Sequence, residues 1–314
     1  MTLTLAIPSK GRLQEQAGAY FADAGLALHP CTGSRGYRAT MAGLPDVDVR
    51  LVSAAEIAVG LAAGDFHLGV TGEDLIRETG PDASSRVALL HALGFGFANV
   101  VVAVPRAWID VATMADLDDV CAAFAQRHKR RLRIATKYVH LTRRFFAEAG
   151  ISDYRIVESA GATEGAPAAG AAEAIVDIAT TGATLAANGL KTLDDGTILE
   201  SQAQLAAASR AEWDAHALVA ARALLKRLWA RELAKASHVL RTTLHGDDLV
   251  ARAGASVLSR GGSEMSLLVP RAGLMQAVEV LGSAAVADVE YVFNGGEPLY
   301  ERLTRAIAAT PARP

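Results

Sequence analysis

Between Glu173 and Leu190 the chain reads E-A-I-V-D-I-A-T-T-G-A-T-L-A-A-N-G-L. Ala174 to Ile178 is a short apolar run broken only by Asp177, and reads as a buried strand. Thr180, Thr181, Gly182, Ala183 and Thr184 form a tight polar turn, and a helical pattern begins at Leu185 and runs to Leu190. A buried strand that feeds a helix through such a turn is an α/β unit, and in α/β sheets ligands bind at the carboxyl ends of strands. The turn has the makings of a phosphate cradle. Glycine lets backbone approach a ligand, and N–H groups at a helix start point at an anion. Threonine hydroxyls add uncharged donors. Asp177 stands where a sugar hydroxyl lies if the phosphate belongs to a phosphorylated ribose. A carboxylate in an apolar strand is costly unless paired. The plain alternative is a strand–turn–helix junction with one threonine as N-cap, but this turn holds three threonines.

The remaining pattern repeats that unit. Strands are expected at Leu3–Ile7, Val47–Val52, Leu68–Val70, Val87–Leu90, Asn99–Val104, Leu132–Ala135 and Ile156–Glu158, with helices at Leu13–Ala24, Glu56–Ala63 and Leu141–Ala149. The alternation predicts an α/β fold with mostly parallel sheets. Two further polar turns follow strands, Ser9–Arg12 and Thr71–Asp74. Thr163 to Gly170 is a small-residue stretch with one carboxylate, Glu164, suited to a loop over ligand. Ala203 to Leu240 is Ala-rich and reads as mostly helical, and Leu218, Leu225, Leu228 and Trp229 share one face as a packing stripe. Beyond it, strand His238–Leu244, helix Asp247–Ala253, a hairpin from Ser256 to Val269, helix Ala272–Leu281 and strand Val289–Phe293 follow the β-α-β-β-α-β order of ferredoxin-like domains.

The chain's 314 residues exceed what one core usually serves, so two or three domains are expected. With 31 basic and 34 acidic residues, a net charge of −3 argues against a nucleic-acid surface. Cys31 and Cys121 lack disulfide, metal or redox spacing. The N-terminus does not read as a signal peptide, and no apolar run reaches membrane-spanning length. These readings predict a cytoplasmic protein with neither nucleic-acid nor membrane partners.

Four segments, A-I-P-S-K-G-R-L (Ala6–Leu13), L-G-V-T-G-E-D-L (Leu68–Leu75), R-I-A-T-K-Y-V-H-L-T-R-R-F-F (Arg133–Phe146) and the run Gly161–Leu190, together resemble the ATP phosphoribosyltransferases that open histidine biosynthesis. The resemblance implies a catalytic core of two lobes hinged as in periplasmic binding proteins, closest to the family's short form, followed by a C-terminal extension. Lobe I is expected at 1–98 plus about 187–225, lobe II at 99–186, and a small α+β regulatory or oligomerisation domain at 236–314. Two positions depart from the family pattern. His67 stands where an acid is usual, with Asp65 nearby, and Val139 stands where proline usually follows the tyrosine. The expectation for His67 is a strand-end histidine bonded to backbone.

The implied reaction joins N1 of the adenine of ATP to C1 of 5-phosphoribosyl 1-pyrophosphate and releases pyrophosphate. Such a transfer passes through an oxocarbenium-like state. On this reading the 5-phosphate meets Thr180, Thr181, Gly182, Ala183 and Thr184. Asp177 holds ribose hydroxyls or developing positive charge, and Glu164 holds ribose or a metal-bound water. Lys10, Gly11 and Arg12, with Thr71, Gly72 and Asp74, contact ATP or pyrophosphate. Arg143 and Arg144 are adjacent on a helix, so at most one faces the cleft. The expected metal is Mg²⁺, carried by substrate phosphates rather than by protein side chains.

The resemblance further implies a homo-oligomer, with histidine as an effector of the extension or a separate regulatory subunit resembling a histidyl-tRNA synthetase. Two other functions share the architecture: a non-catalytic solute-binding module, and a phosphoribosyltransferase for another base.

Overall fold

The computed structural model describes residues 2–31, 37–159, 161–282 and 284–310. The chain begins with β1 (Leu3–Pro8), α1 (Gly11–Asp23), β2 (Leu28–Pro30), β3 (Arg38–Met41), β4 (Val47–Val52), α2 (Ala54–Ala63), β5 (Leu68–Gly72), α3 (Glu73–Glu78), α4 (Ala83–Arg86) and β6 (Val87–Ala92). It continues with β7 (Asn99–Pro105), α5 (Met114–His128), β8 (Leu132–Thr136), α6 (Val139–Glu148), β9 (Tyr154–Glu158), β10 (Ala174–Ala179), α7 (Ala183–Ala187) and β11 (Leu190–Leu199). Then come β12 (Ala203–Ala208), α8 (Ala215–Ala236), β13 (Ser237–Thr242), α9 (Asp247–Arg252), β14 (Ser256–Gly261), β15 (Glu264–Pro270), α10 (Leu274–Leu281), β16 (Ala285–Ala287) and α11 (Pro298–Ala308).

These strands make three sheets, ordered β2-β3-β4-β1-β5-β12-β6, β11-β7-β10-β8-β9 and β14-β15-β13-β16. The first two sheets share one plan. In β4-β1-β5-β12-β6 and in β9-β8-β10-β7-β11, the earliest strand of a βαβ series sits between its second and third. An antiparallel strand then precedes the last. Those antiparallel strands, β12 and β7, enter directly from the other sheet. The expectation of mostly parallel sheets is therefore corrected. β1 and β5, β8 and β10, and β8 and β9 pair parallel, but β7 and β12 make both sheets mixed. β11 pairs with β7, so the chain returns to the larger sheet at β12, not near residue 187.

The Ala-rich segment holds the clearest departure from local propensity. Ala203–Ala208 is a fully buried strand, and the helix begins only at Ala215. β12 lies between β5 and β6, and pairing with both neighbours outweighs alanine's helical preference. Asp214 then caps α8, accepting the Ala217 N–H at 2.7 Å. Leu225 and Leu228 of the expected stripe are buried. α7 is also shorter than expected: it starts at Ala183, and Leu190 already belongs to β11.

By internal packing the chain resolves into two compact units, one holding Thr4–Ala17 and Arg50–Glu212, the other Gly18–Val49 and Trp213–Ala308. In the first, Val100, Val102, Leu117, Ile134, Phe146 and Val176 build a core between the five-stranded sheet and α5 and α6. Ala6, Ile57, Leu61, Ile76 and Ala206 build another around α2 and β5. Capping boxes at Ser53/Glu56 and Thr113/Asp116 start α2 and α5.

In the second unit, β13 to β16 with α9 and α10 form the ferredoxin-like arrangement. Its strands lie second-third-first-fourth, and all neighbours are antiparallel. Leu240, Met265, Leu267, Val269, Ala277 and Leu281 fill its core. Its last strand is Ala285–Ala287, not Val289–Phe293. Residues 289–293 follow that strand without regular structure, and Val292 packs with Val239 and Leu268 instead.

Candidate active site

A cavity of about 370 Å³ opens at the carboxyl end of β10, lined by Lys137, Gly161–Glu164 and Asp177–Leu185. Parallel pairing of β10 with β8 sets Ala174 to Val176 beside Ile134 to Thr136. The next residues on the two strands, Asp177 and Lys137, therefore reach the cavity together. Asp177 is half-buried and its Oδ1 accepts the Ile178 N–H at 2.8 Å. Burial pushes its carboxyl above the ordinary aspartate range. The Ile178 N–H and the Lys137 ammonium oppose that rise, and the Glu164 charge adds to it. Glu164 sits in a 3-10 turn, Thr163–Gly165, whose Thr163 is buried with its hydroxyl 3.1 Å from that of Ser159.

The turn beyond β10 is open. Gly182 has φ +72°, a left-handed conformation that side chains resist, and a Cβ there would meet nothing within 4 Å. Thr181, Ala183 and Thr184 are exposed. Thr181 Oγ1 accepts the Ala183 N–H at 3.4 Å, while Thr180 donates its hydroxyl to the Phe97 carbonyl at 3.3 Å. Donors at the start of α7 have no intrahelical acceptors.

Lys10, Gly11 and Arg12 are exposed at the carboxyl end of β1 and do not line this cavity. Their neighbours at the same edge are the residues that end β5, because β1 and β5 pair parallel.

Thr71, Gly72 and Asp74 form no open turn. Thr71 is the buried end of β5 and donates its hydroxyl to the Ala54 carbonyl at 2.7 Å. Asp74 is buried at the start of α3. Its Oδ1 accepts Ser201 Oγ–H at 2.8 Å, its Oδ2 accepts the Tyr138 hydroxyl at 2.7 Å, and its N–H donates to Ser201 Oγ at 3.0 Å. A Cβ on Gly72 would come within 2.2 Å of Asp74 Oδ1, so this glycine makes room for the carboxylate.

Burial first, and then the Asp74 charge, push the Tyr138 phenol far above its ordinary range. Tyr138 also directly follows Lys137. Four residues beyond Asp74, the Glu78 carboxylate accepts the His140 and Leu141 N–H groups at 2.9 and 3.1 Å. It thereby caps α6, although burial raises its pKa.

Sequence reasoning missed Lys137, though it stands in the quoted segment A-T-K-Y-V-H. The signal was topological: β8 holds in its sheet the place β1 holds in the other, so Lys137 is the counterpart of the Lys10 turn. His67 behaves as expected. Its Nδ1 accepts the Thr4 N–H at 3.1 Å, and its Nε2 lies 3.0 Å from the Glu212 carbonyl. Both contacts are satisfied by a neutral ring protonated at Nε2. Arg143 lines a separate depression with Arg131 and Arg155, and Arg144 pairs with Glu148 at 3.7 Å.

Together these features define an α/β protein with two sheets of one plan and a polar cavity at the carboxyl end of β10. The family model of the ATP phosphoribosyltransferases matches residues 53–230. An ATP phosphoribosyltransferase of Rhodopseudomonas palustris (strain BisB18) is 52% identical over 95% of this chain and 96% of its own length. One of Nitrobacter hamburgensis is 54% identical over 96% of this chain and 97% of its own length. Among solved structures, the ATP phosphoribosyl transferase (HisG:HisZ) complex from Thermotoga maritima contains a chain 25% identical to this one, with a TM-score of 0.55. The match covers 72% of this chain and 96% of that one. The chain belongs to the ATP phosphoribosyltransferase family.

Proposed function

We propose that the cavity takes 5-phosphoribosyl 1-pyrophosphate and that the chain joins its C1 to N1 of the adenine of ATP, the first step of histidine biosynthesis. The C1–O bond to pyrophosphate breaks with its electron pair leaving on pyrophosphate, and the C1–N1 bond forms. The supporting observation is the convergence of Asp177, Glu164, Lys137 and the Thr180–Thr184 turn on one cavity. The turn holds the 5-phosphate through backbone N–H groups, hydroxyls and Gly182. Asp177, ionised, binds ribose hydroxyls and stabilises positive charge as pyrophosphate departs. Glu164 approaches the ribose or a water on the metal, and Lys137 offsets pyrophosphate charge.

Lys10, Gly11 and Arg12 meet the phosphates of ATP or of pyrophosphate. Gly72 lies at the same edge, while Thr71 and Asp74 act by shaping it. The cavity's carboxylates and hydroxyls suit a hard cation that brings its own oxygen ligands, so Mg²⁺ enters as part of the pyrophosphate substrate. The experiment is a spectrophotometric assay with ATP, 5-phosphoribosyl 1-pyrophosphate and Mg²⁺. Adduct formation on ATP is expected. Product with another base and none with ATP would point to the alternative transferase, and binding without turnover to a solute-binding module.

No described helix is long and apolar enough to cross a membrane, and the proposed compartment is the cytoplasm. The lobe assignment extends to regulation. The ferredoxin-like unit within 236–314 is proposed to carry assembly and the response to histidine, alone or with a separate subunit resembling a histidyl-tRNA synthetase. Titration of the full chain with L-histidine during turnover tests the effector, and sedimentation tests the oligomer.

A further inference from the structure

Phe97 is an aromatic side chain left 57% exposed in the segment joining β6 to β7. Such a residue alone carries little meaning. Its position carries more. β6 runs parallel to β5, since both pair antiparallel with β12, so residues 93–98 emerge at the carboxyl edge that bears Lys10–Arg12 and Gly72. Asn99 then pairs with Ala179, the last residue of β10. Phe97 thus stands where the carboxyl edges of the two sheets meet.

Its surroundings are firmly held on both sides. The Leu93 and Ala98 N–H groups donate to the Ala203 and Ser201 carbonyls at 3.0 and 2.9 Å, and the Ala203 N–H donates to the Phe95 carbonyl at 2.9 Å. On one side, a Cβ on Gly96 would lie 3.0 Å from Leu13 Cδ1, in the first turn of α1 beyond Lys10–Arg12. On the other side, the Phe97 carbonyl accepts the Thr180 hydroxyl of the phosphate turn. Of the exposed large aromatics among the described residues, Tyr37, Phe97 and Phe293, Phe97 alone belongs to this unit.

The reaction limits where the nucleotide base can lie. Its N1 must face a ribose whose 5-phosphate is at Thr180–Thr184, and its triphosphate must extend toward fixed cations. A base that meets both demands lies between the phosphate turn and Lys10–Arg12, and Phe97 belongs to the segment that touches both, through its own carbonyl on one side and Gly96 on the other. We infer that Phe97 is the stacking surface for the purine of ATP, and so a substrate-binding residue that helps select a nucleotide base over smaller nucleophiles. The inference rests on the site assignment above.

The test is steady-state kinetics on the full chain. Phe97→Ala is expected to raise KM for ATP about tenfold, in line with loss of one base–aromatic stack. KM for 5-phosphoribosyl 1-pyrophosphate should stay within about twofold. Phe97→Tyr and Phe97→Trp should restore the ATP value, and the Trp fluorescence of the latter should quench on adding ATP. Phe97→Leu keeps bulk without an aromatic face and should resemble the Ala variant. Leu performing as well as Trp, or Ala raising both KM values alike, overturns the inference. Should the Ala variant not fold, the Leu and Trp pair decides. Asp177→Asn, measured alongside, reports on the site assignment itself: near-normal turnover there removes that assignment, whereas the Phe97 outcomes bear on the base alone.

Discussion

β5 and β10 occupy the same place in two sheets of one plan, each the third strand of its series, each leading into a helix through threonine and glycine. The two turns do opposite things. After β10, Gly182 takes a left-handed conformation facing open space, and Thr181 and Thr184 are exposed beside a cavity. After β5, Thr71 and Asp74 are buried and bonded inward, and Gly72 is small because Asp74 needs the space. Topology supplies the location, and the groups packed around each turn decide whether it receives a ligand or closes on itself. The closed turn still serves the open one. Asp74 holds Tyr138 from the other sheet, and Tyr138 directly follows Lys137 at the cavity.

That contrast breaks most readily at its two aspartates. Asp177→Asn should lower kcat/KM by about 10²–10³-fold with little change in stability, because under the proposed function it removes a charge aimed at the reacting centre. Asp74→Ala should instead destabilise the fold by about 2–4 kcal/mol, measured by urea unfolding, because it strips partners from the buried Ser201 and Tyr138 hydroxyls. An Asp74 variant that unfolds normally yet loses turnover as Asp177→Asn does would falsify the division between them.

Smaller effects sharpen it. Tyr138→Phe leaves Asp74 Oδ2 without its phenolic donor and should cost about 1–3 kcal/mol in the same unfolding experiment. Among the threonines, Thr184→Val should raise KM for 5-phosphoribosyl 1-pyrophosphate by about 3–10-fold. Thr71→Val should leave both KM values alone and cost about 1 kcal/mol of stability.

The pH–rate profile gives a finer reading. Under the proposed function Asp177 acts ionised, and burial raises its pKa, so the acid limb of kcat/KM should lie above the ordinary aspartate range. Lys137→Met, which removes a charge favouring the ionised form, should move that limb to higher pH. Glu164→Gln, which removes a charge opposing it, should move it lower. Shifts of the reverse sign would detach these side chains from Asp177.

The smallest effect concerns the start of β10. Burial acts to raise the Glu173 carboxyl, but hydrogen bonds from Arg133 and Arg130 outweigh it and hold the group at about 2, below its unfolded value of 4.5. A depressed carboxylate contributes stability above its unfolded pKa and loses it as pH falls through the folded one. Melting temperature should therefore decline between about pH 4.5 and 2, and less steeply in Arg133→Ala.

Much of this protein was legible without coordinates. Short β-branched runs and amphipathic stretches located most strands and helices of the first unit and the element order of the ferredoxin-like region. The D-x-x-T-T-G-x-T pattern marked the open turn because a strand too short to be a helix ran straight into glycine and threonine. His67 was placed correctly because a lone histidine at a strand end usually bonds backbone. The errors came where local preference and tertiary setting disagree. Ala203–Ala208 has helical composition and strand surroundings, and the surroundings prevail because a central strand between β5 and β6 pairs along both of its edges. The direction of β7 and β12 was equally hidden, since a strand's sequence carries no sign of which sheet it crosses into.

By itself, the sequence determined the α/β character, the polar turn after β10 and the family resemblance, because each rests on residues close together in the chain. Tertiary structure decided which of two similar turns is open, why Lys137 belongs with Asp177, and where Phe97 stands. Those outcomes depend on groups far apart in sequence, such as Asp74 with Tyr138, 64 residues away, and with Ser201, 127 away. Burial determines whether a polar group is spent on the fold or left for a ligand, and burial is a property of the packed whole.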